Sequence, residues 1–193
     1  MELEGTRFQV ITQLIKQKII QLEFDNSDKK LMEIEKDRAE KDERIRKLTE
    51  SLDLDERQEW IEYHRTQGTK YYQKQLYEKA LIEYYLSILA FNNTSIWRSF
   101  GVQLINNIQL NLEYLKKPAT MELLEFVLYI DPCNIKAYFK LGKCYSNNGN
   151  YQTALQNFQQ GEKLCIQAQD KDNLQDFQKQ ISECRRYISQ NRY

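Results

Sequence analysis

Apolar residues recur at intervals of three and four at both ends of the chain, and the spacing predicts helices there. In RFQVITQLIKQKIIQLEF, Phe8, Ile11, Ile15, Ile19 and Leu22 fall along one side, and Val10 and Leu14 broaden the stripe. Asp25 to Asp28, DNSD, then offers a break with capping residues. The next segment, DKKLMEIEKDRAEKDERIRKLTESLDLDER, is dense in charge. Leu31, Ile34, Ile45, Leu48 and Leu52 fit a heptad seam there, with Arg38 and Lys41 at its middle positions. Near the far end, Leu174, Phe177, Ile181, Cys184 and Ile188 form one apolar stripe on an otherwise polar helix.

Between these ends the pattern repeats. The segment KAYFKLGKCYSNNGNYQTALQNF, from Lys136, aligns with GTKYYQKQLYEKALIEYY, from Gly68. Gly142 falls on Gly68, Tyr145 on Tyr71, Tyr151 on Tyr77, Ala154 on Ala80 and Phe158 on Tyr84. The offset is 74 residues, two periods of 34 with six left over. Gly and Ala belong where paired helices touch, because small side chains let the backbones approach, and the aromatics fill the gaps. A helix-turn-helix unit with these residues at these intervals resembles the tetratricopeptide repeat.

The resemblance implies an all-α fold of three helical hairpins stacked as a solenoid, over 61–94, 101–134 and 135–168. The middle repeat has the poorest signature, with Ile108 in the Gly place and Thr120 in the Ala place. Its end is better marked, because Pro132 stands at the usual closing proline and Pro118 suits the first position of a second helix. The six extra residues fall near Asn92 to Phe100, as a longer loop or an early start to the next helix. Residues 169–193 are expected to form a capping helix that closes the open end of the stack.

Residues 1–55 form a long helical extension ahead of the repeat region, which spans 56–168. Two readings of it stand. It is a solvated helix held by Glu/Lys pairs, or a coiled-coil or partner-docking segment. Phe8, Ile11, Ile15, Ile19 and Leu22 are the candidate docking residues, since a helix standing alone would leave that face unburied. The same helix could instead fold back onto the repeats.

Composition narrows the function. The chain has 193 residues, 28 basic and 28 acidic, so no nucleic-acid or membrane-surface partner is indicated. With 6 Gly and 2 Pro there are few tight turns, which favours long helices. No apolar run is long enough to span a membrane, and MELEGTRFQV lacks the core of a signal peptide. Cys133, Cys144, Cys165 and Cys184 form no CxxC pair and His64 is the only histidine, so no metal site is expected. Buried thiols in a reducing compartment are the expected state of the cysteines, and the cytoplasm, cytoskeletal or axonemal assemblies included, is the expected location.

Catalysis is not expected. A Cys-His or Ser-His pair would have to use His64, which takes a large-aromatic position in the first repeat and matches Tyr138 in the last. No GxxxxGK[ST] or GxGxxG loop occurs, and no cofactor is implied. The expected function is therefore a non-enzymatic scaffold or adaptor with protein partners, a long helical partner in an assembly among them.

A second reading rests on groove residues. Lys136 and Lys140 are one helical turn apart and can bracket a carboxylate; Arg65 and Thr69 share that spacing in the first repeat, and Asn106 lies in the middle one. This set resembles the carboxylate clamp of tetratricopeptide co-chaperones and large immunophilins, which grip an acidic C-terminal chaperone tail. The resemblance implies peptide binding through Arg65, Asn106, Lys136 and Lys140. Thr69 departs from the family's Asn, and Lys140 stands where Arg is common and supplies charge without bidentate geometry.

Overall fold

A computed structural model of the protein describes residues 2–92, 94–117 and 120–190. It is an all-α helical repeat fold, with no strand among the described residues. The chain divides into two compact units, Met1–Ala119 and Thr120–Tyr193. The division falls inside the expected middle repeat. Pro118 lies outside the described residues.

The first unit begins with two helices, α1 (Glu2–Asp25) and α2 (Leu31–Glu50). The hairpin α3 (Leu54–Gln73) and α4 (Tyr77–Leu89) follows. Helix α3 starts seven residues ahead of the expected repeat boundary at 61. Asp53 and Glu56 explain the early start, because they form a reciprocal capping box: Glu56 N donates to Asp53 at 2.9 Å and Asp53 N to Glu56 at 3.0 Å. After α4 the chain becomes helical again at α5 (Thr94–Ile96), passes through a π-helical turn (Trp97–Gly101) and runs on as α6 (Val102–Tyr114). The extra residues near 92–100 are thus an early helical start, and the π turn takes up part of the excess.

The second unit holds α7 (Thr120–Ile130), the hairpin α8 (Ile135–Asn147) and α9 (Tyr151–Ala168), and α10 (Lys171–Gln190). Helix α10 packs on α9 through the stripe read from the sequence. Phe177, Ile181 and Cys184 are buried with Ala154, Phe158 and Cys165 in one core, and Leu174 packs against it. The cysteines do not share one fate: Cys165 and Cys184 are buried, Cys144 is half-buried and Cys133 is exposed. Cys133 follows Pro132 in the loop ahead of α8, so it has no core to enter.

Glycine contacts set the hairpin spacing. A Cβ on Gly68 would stand 2.5 Å from Cε1 of Tyr84, and one on Gly142 would stand 2.5 Å from Cε1 of Phe158. Gly161 is pressed against Phe177 in the same way, which extends the device from the hairpins to α10. Each ring fills the space that a side chain would have taken, so helix approach and aromatic packing are one event.

Four helix ends among the described residues close identically. Leu76 N donates to Tyr71 O, Lys117 N to Leu112 O, Asn150 N to Tyr145 O and Asp170 N to Cys165 O, at 2.9–3.0 Å. These are six-to-one bonds of a Schellman motif, and the residue before each donor is left-handed. Only one of the four is glycine, Gly149 at φ 76°; the others are Gln75, Lys116 and Gln169, at φ 59°, 54° and 56°.

Gly142→Ala should lower stability by about 1–2 kcal/mol, because overpacking against Phe158 outweighs the helix propensity gained. Urea unfolding checks this, and the loss should shrink in a Phe158→Leu background. Gln169→Gly should raise stability by about 0.5–1 kcal/mol by relieving the left-handed backbone, read in the same assay.

Candidate functional site

Helix α8 carries Lys136 and Lys140 at its start. Asn134 caps it, accepting from Ala137 N at 3.0 Å, and fixes the rotation of its first turn. Ala137, Leu141 and Gly142 face inward, which leaves Lys136 and Lys140 exposed on the opposite side, one turn apart. No ion pair engages either lysine among the described residues. One turn further, Lys143 donates to Gln180 of α10 at 3.2 Å.

The expected site residues of the first unit are differently placed. Arg65 donates to Glu62 Oε2 through Nε at 2.9 Å and Nη2 at 2.6 Å, so its charge is met within its own helix. Thr69 gives its hydroxyl hydrogen to Arg65 O at 3.0 Å, the back-bond of a mid-helix threonine, and lies 3.3 Å from the Tyr84 hydroxyl. Burial pushes the Tyr84 phenol above its usual pKa range. Asn106 is half-buried on α6. His64 is buried between α3 and α4 as a packing residue, 4.4 Å from the Trp60 ring, but its Nδ1 also stands 2.7 Å from Glu83.

The stripe of candidate docking residues lies against α4, the placement that the sequence left open beside docking to a partner. Ile11, Ile15, Ile19 and Leu22 are buried, and Phe8 stacks on Trp97 at 5.1 Å. Helix α1 lies along α4, so its apolar face is covered from within the chain and does not offer these side chains to a partner in this conformation. The cause lies in α4. Leu81, Tyr84, Tyr85, Ile88 and Leu89 are all buried, more than the α3 face can cover. A helix apolar on two faces needs a second neighbour.

The heptad seam is also displaced. Leu31 and Leu48 are exposed, and the inward face of α2 is Ile34, Arg38, Asp42 and Thr49. These polar groups form a network that the heptad pattern missed. Asp42 accepts from Lys16 Nζ of α1 and from the Tyr85 hydroxyl of α4, each at 2.8 Å. Arg38 pairs with Glu23 of α1. Burial, then the Asp42 charge, raises the Tyr85 phenol far above the usual range, which keeps it a donor. The available signal was the four-residue spacing of Arg38 and Asp42, continuous with Ile34.

Residues 127–156 match the family model of the tetratricopeptide repeat. The match runs from the last turn of α7 through α8 into α9, and so includes Lys136, Lys140 and Gly142. No curated protein matches the chain. The repeat is in general a protein-interaction module. Among the described residues no helix is long and apolar enough to cross a membrane, and no His, Cys, Asp or Glu cluster is placed to hold a metal ion.

Tyr85→Phe should cost about 1.5–3 kcal/mol, the range for a lost hydrogen bond to a charged group. Urea unfolding followed by circular dichroism checks it; a loss below half that range would mean that Lys16 alone satisfies Asp42.

Proposed function

We propose that the chain is a non-enzymatic adaptor that serves within a larger protein assembly in the cytoplasm, cytoskeletal and axonemal assemblies included. The supporting observation is the build of α8. Its inner side is locked by the contact of Gly142 with Phe158, and its outer side carries Lys136 and Lys140 exposed and unpaired among the described residues. Two exposed cations one turn apart favour an acidic protein surface, and the helix that presents them is already ordered. The partner is a protein with acidic side chains or a long helical segment. The match to an interaction repeat over this same stretch agrees with that reading.

A narrower second reading takes the same lysines as half of a clamp for a free C-terminal carboxylate. Lys136 and Lys140 favour it. Arg65, already bonded to Glu62, and Thr69, bonded to its own helix, weigh against the other half.

In fresh lysate of cells that express it, the 23.3 kDa chain should fractionate in an assembly well above its own mass, and Lys136→Glu with Lys140→Glu should release it. A chain running alone as a monomer would sink the adaptor reading. Calorimetric titration with an acidic peptide ending in Glu-Glu-Val-Asp separates the two readings. The adaptor predicts no dependence on the terminal carboxylate. Micromolar binding that vanishes on amidation and in Lys136→Glu would put the clamp in its place.

A further inference from the structure

Helix α2 is held differently from its neighbours. Its inward row has one fully buried apolar side chain, Ile34, against three polar ones, Arg38, Asp42 and Thr49. Helix α1, by contrast, is seated on buried Ile11, Ile15 and Ile19. Fully burying an isoleucine contributes roughly 1.5–3 kcal/mol, so most of the hydrophobic adhesion in this unit bypasses α2.

What seats α2 is charge. Asp42 is held by Lys16 and Tyr85, and Arg38 by Glu23. The side chains of Asp42 and Arg38 are 7% and 6% exposed, so both have lost nearly all their water. Buried ion pairs return little net free energy once desolvation is counted, although they fix geometry. The satisfaction here is incomplete as well, since Arg38 Nε is buried without a hydrogen-bond partner.

Packing beside α2 is also loose. A half-open pocket of about 320 Å³ lies at its N-terminal half, lined by Ile19, Leu22, Ile34 and Leu81 and by exposed Asn26, Lys29 and Lys41. A groove of about 910 Å³ lies at its C-terminal half, where Arg46, Thr49 and Glu50 face Leu14 and Leu89. A helix with unfilled space at both halves forgoes the dispersion contacts that hold a close-packed core.

We propose that α2 is a detachable strap. It lifts from α1 and α4 as a unit while the rest of the first unit stays folded, and it uncovers the strip formed by Lys16, Ile19, Leu22, Leu81 and Tyr85. Water re-solvates Arg38 and Asp42 on opening, which offsets the loss of their partners. The apolar cost of opening falls on Ile34 and its contacts, half-buried Ile45 and the Tyr85 ring.

Hydrogen exchange of the full chain, read by mass spectrometry, tests this. Residues 31–50 should exchange at least about tenfold faster than residues 80–89, because a released 20-residue helix is marginal on its own. Asp42→Ala should accelerate 31–50 by a further factor of about ten and leave 80–89 and 151–168 within about threefold of the parent. In Lys16→Met/Glu23→Leu/Arg38→Met/Asp42→Leu/Tyr85→Phe, which replaces both ion pairs and the phenol by apolar groups, 31–50 should slow towards the rate of 80–89. Equal protection of 31–50 and 80–89 in the parent chain would overturn the proposal. So would loss of protection at 80–89 together with 31–50 in Asp42→Ala, or a charge-free variant whose α2 exchanges as fast as the parent's.

Discussion

The contact between a glycine on one helix and an aromatic ring on the next is the constraint on which the hairpins depend. At Gly68 and Tyr84, and again at Gly142 and Phe158, the ring lies where a Cβ would be. That distance sets how closely the two helices approach, and with it which residues face inward. On α8 the inward set is Ala137, Leu141 and Gly142, and the outward position of Lys136 and Lys140 follows from it. The exposed lysine face is thus a consequence of packing on the opposite side of the same helix. The recurrence of the contact at Gly161 and Phe177 carries the same rule into α10.

The first unit shows what happens when this rule meets a helix with too much apolar surface. Helix α4 gives Tyr84 to the glycine contact and is left with Leu81, Tyr85 and Ile88 to bury. Helix α1 covers part of that surface with isoleucines, and α2 adds a polar lid whose charges meet Lys16, Tyr85 and Glu23. Hydrophobic burial is non-directional and holds α1 broadly; ion pairs are directional and hold α2 at a few points. Stability is therefore distributed unevenly within a single unit, and the least adhesive element lies over an apolar strip.

Much of the fold was legible in the chain. The Gly, Tyr, Ala and aromatic intervals located α3, α4, α8 and α9, and the stripe from Leu174 to Ile188 located α10. Helix ends were less legible. Three of the four left-handed closing residues are Gln75, Lys116 and Gln169, which carry none of the signal that a glycine would give. The site was legible only in part. Lys136 and Lys140 stand exposed as their spacing implies, while Arg65 turns to Glu62, a residue on its own helix that the repeat alignment gave no reason to weigh.

By itself, the sequence determined the nearby terms: helix periodicity, the glycine and aromatic intervals of the hairpins, and the stripe on α10. These depend on neighbours within one helix or one hairpin, so spacing records them. Only the tertiary structure decided where long-range surfaces went. The stripe from Phe8 to Leu22 is equally compatible with an external partner and with α4, because an amphipathic face specifies burial and not its occupant. The Lys16, Asp42 and Tyr85 network joins residues on three helices, and no interval along one helix encodes it. Burial of a charge is chosen by what lies opposite, and that is fixed only when the helices meet.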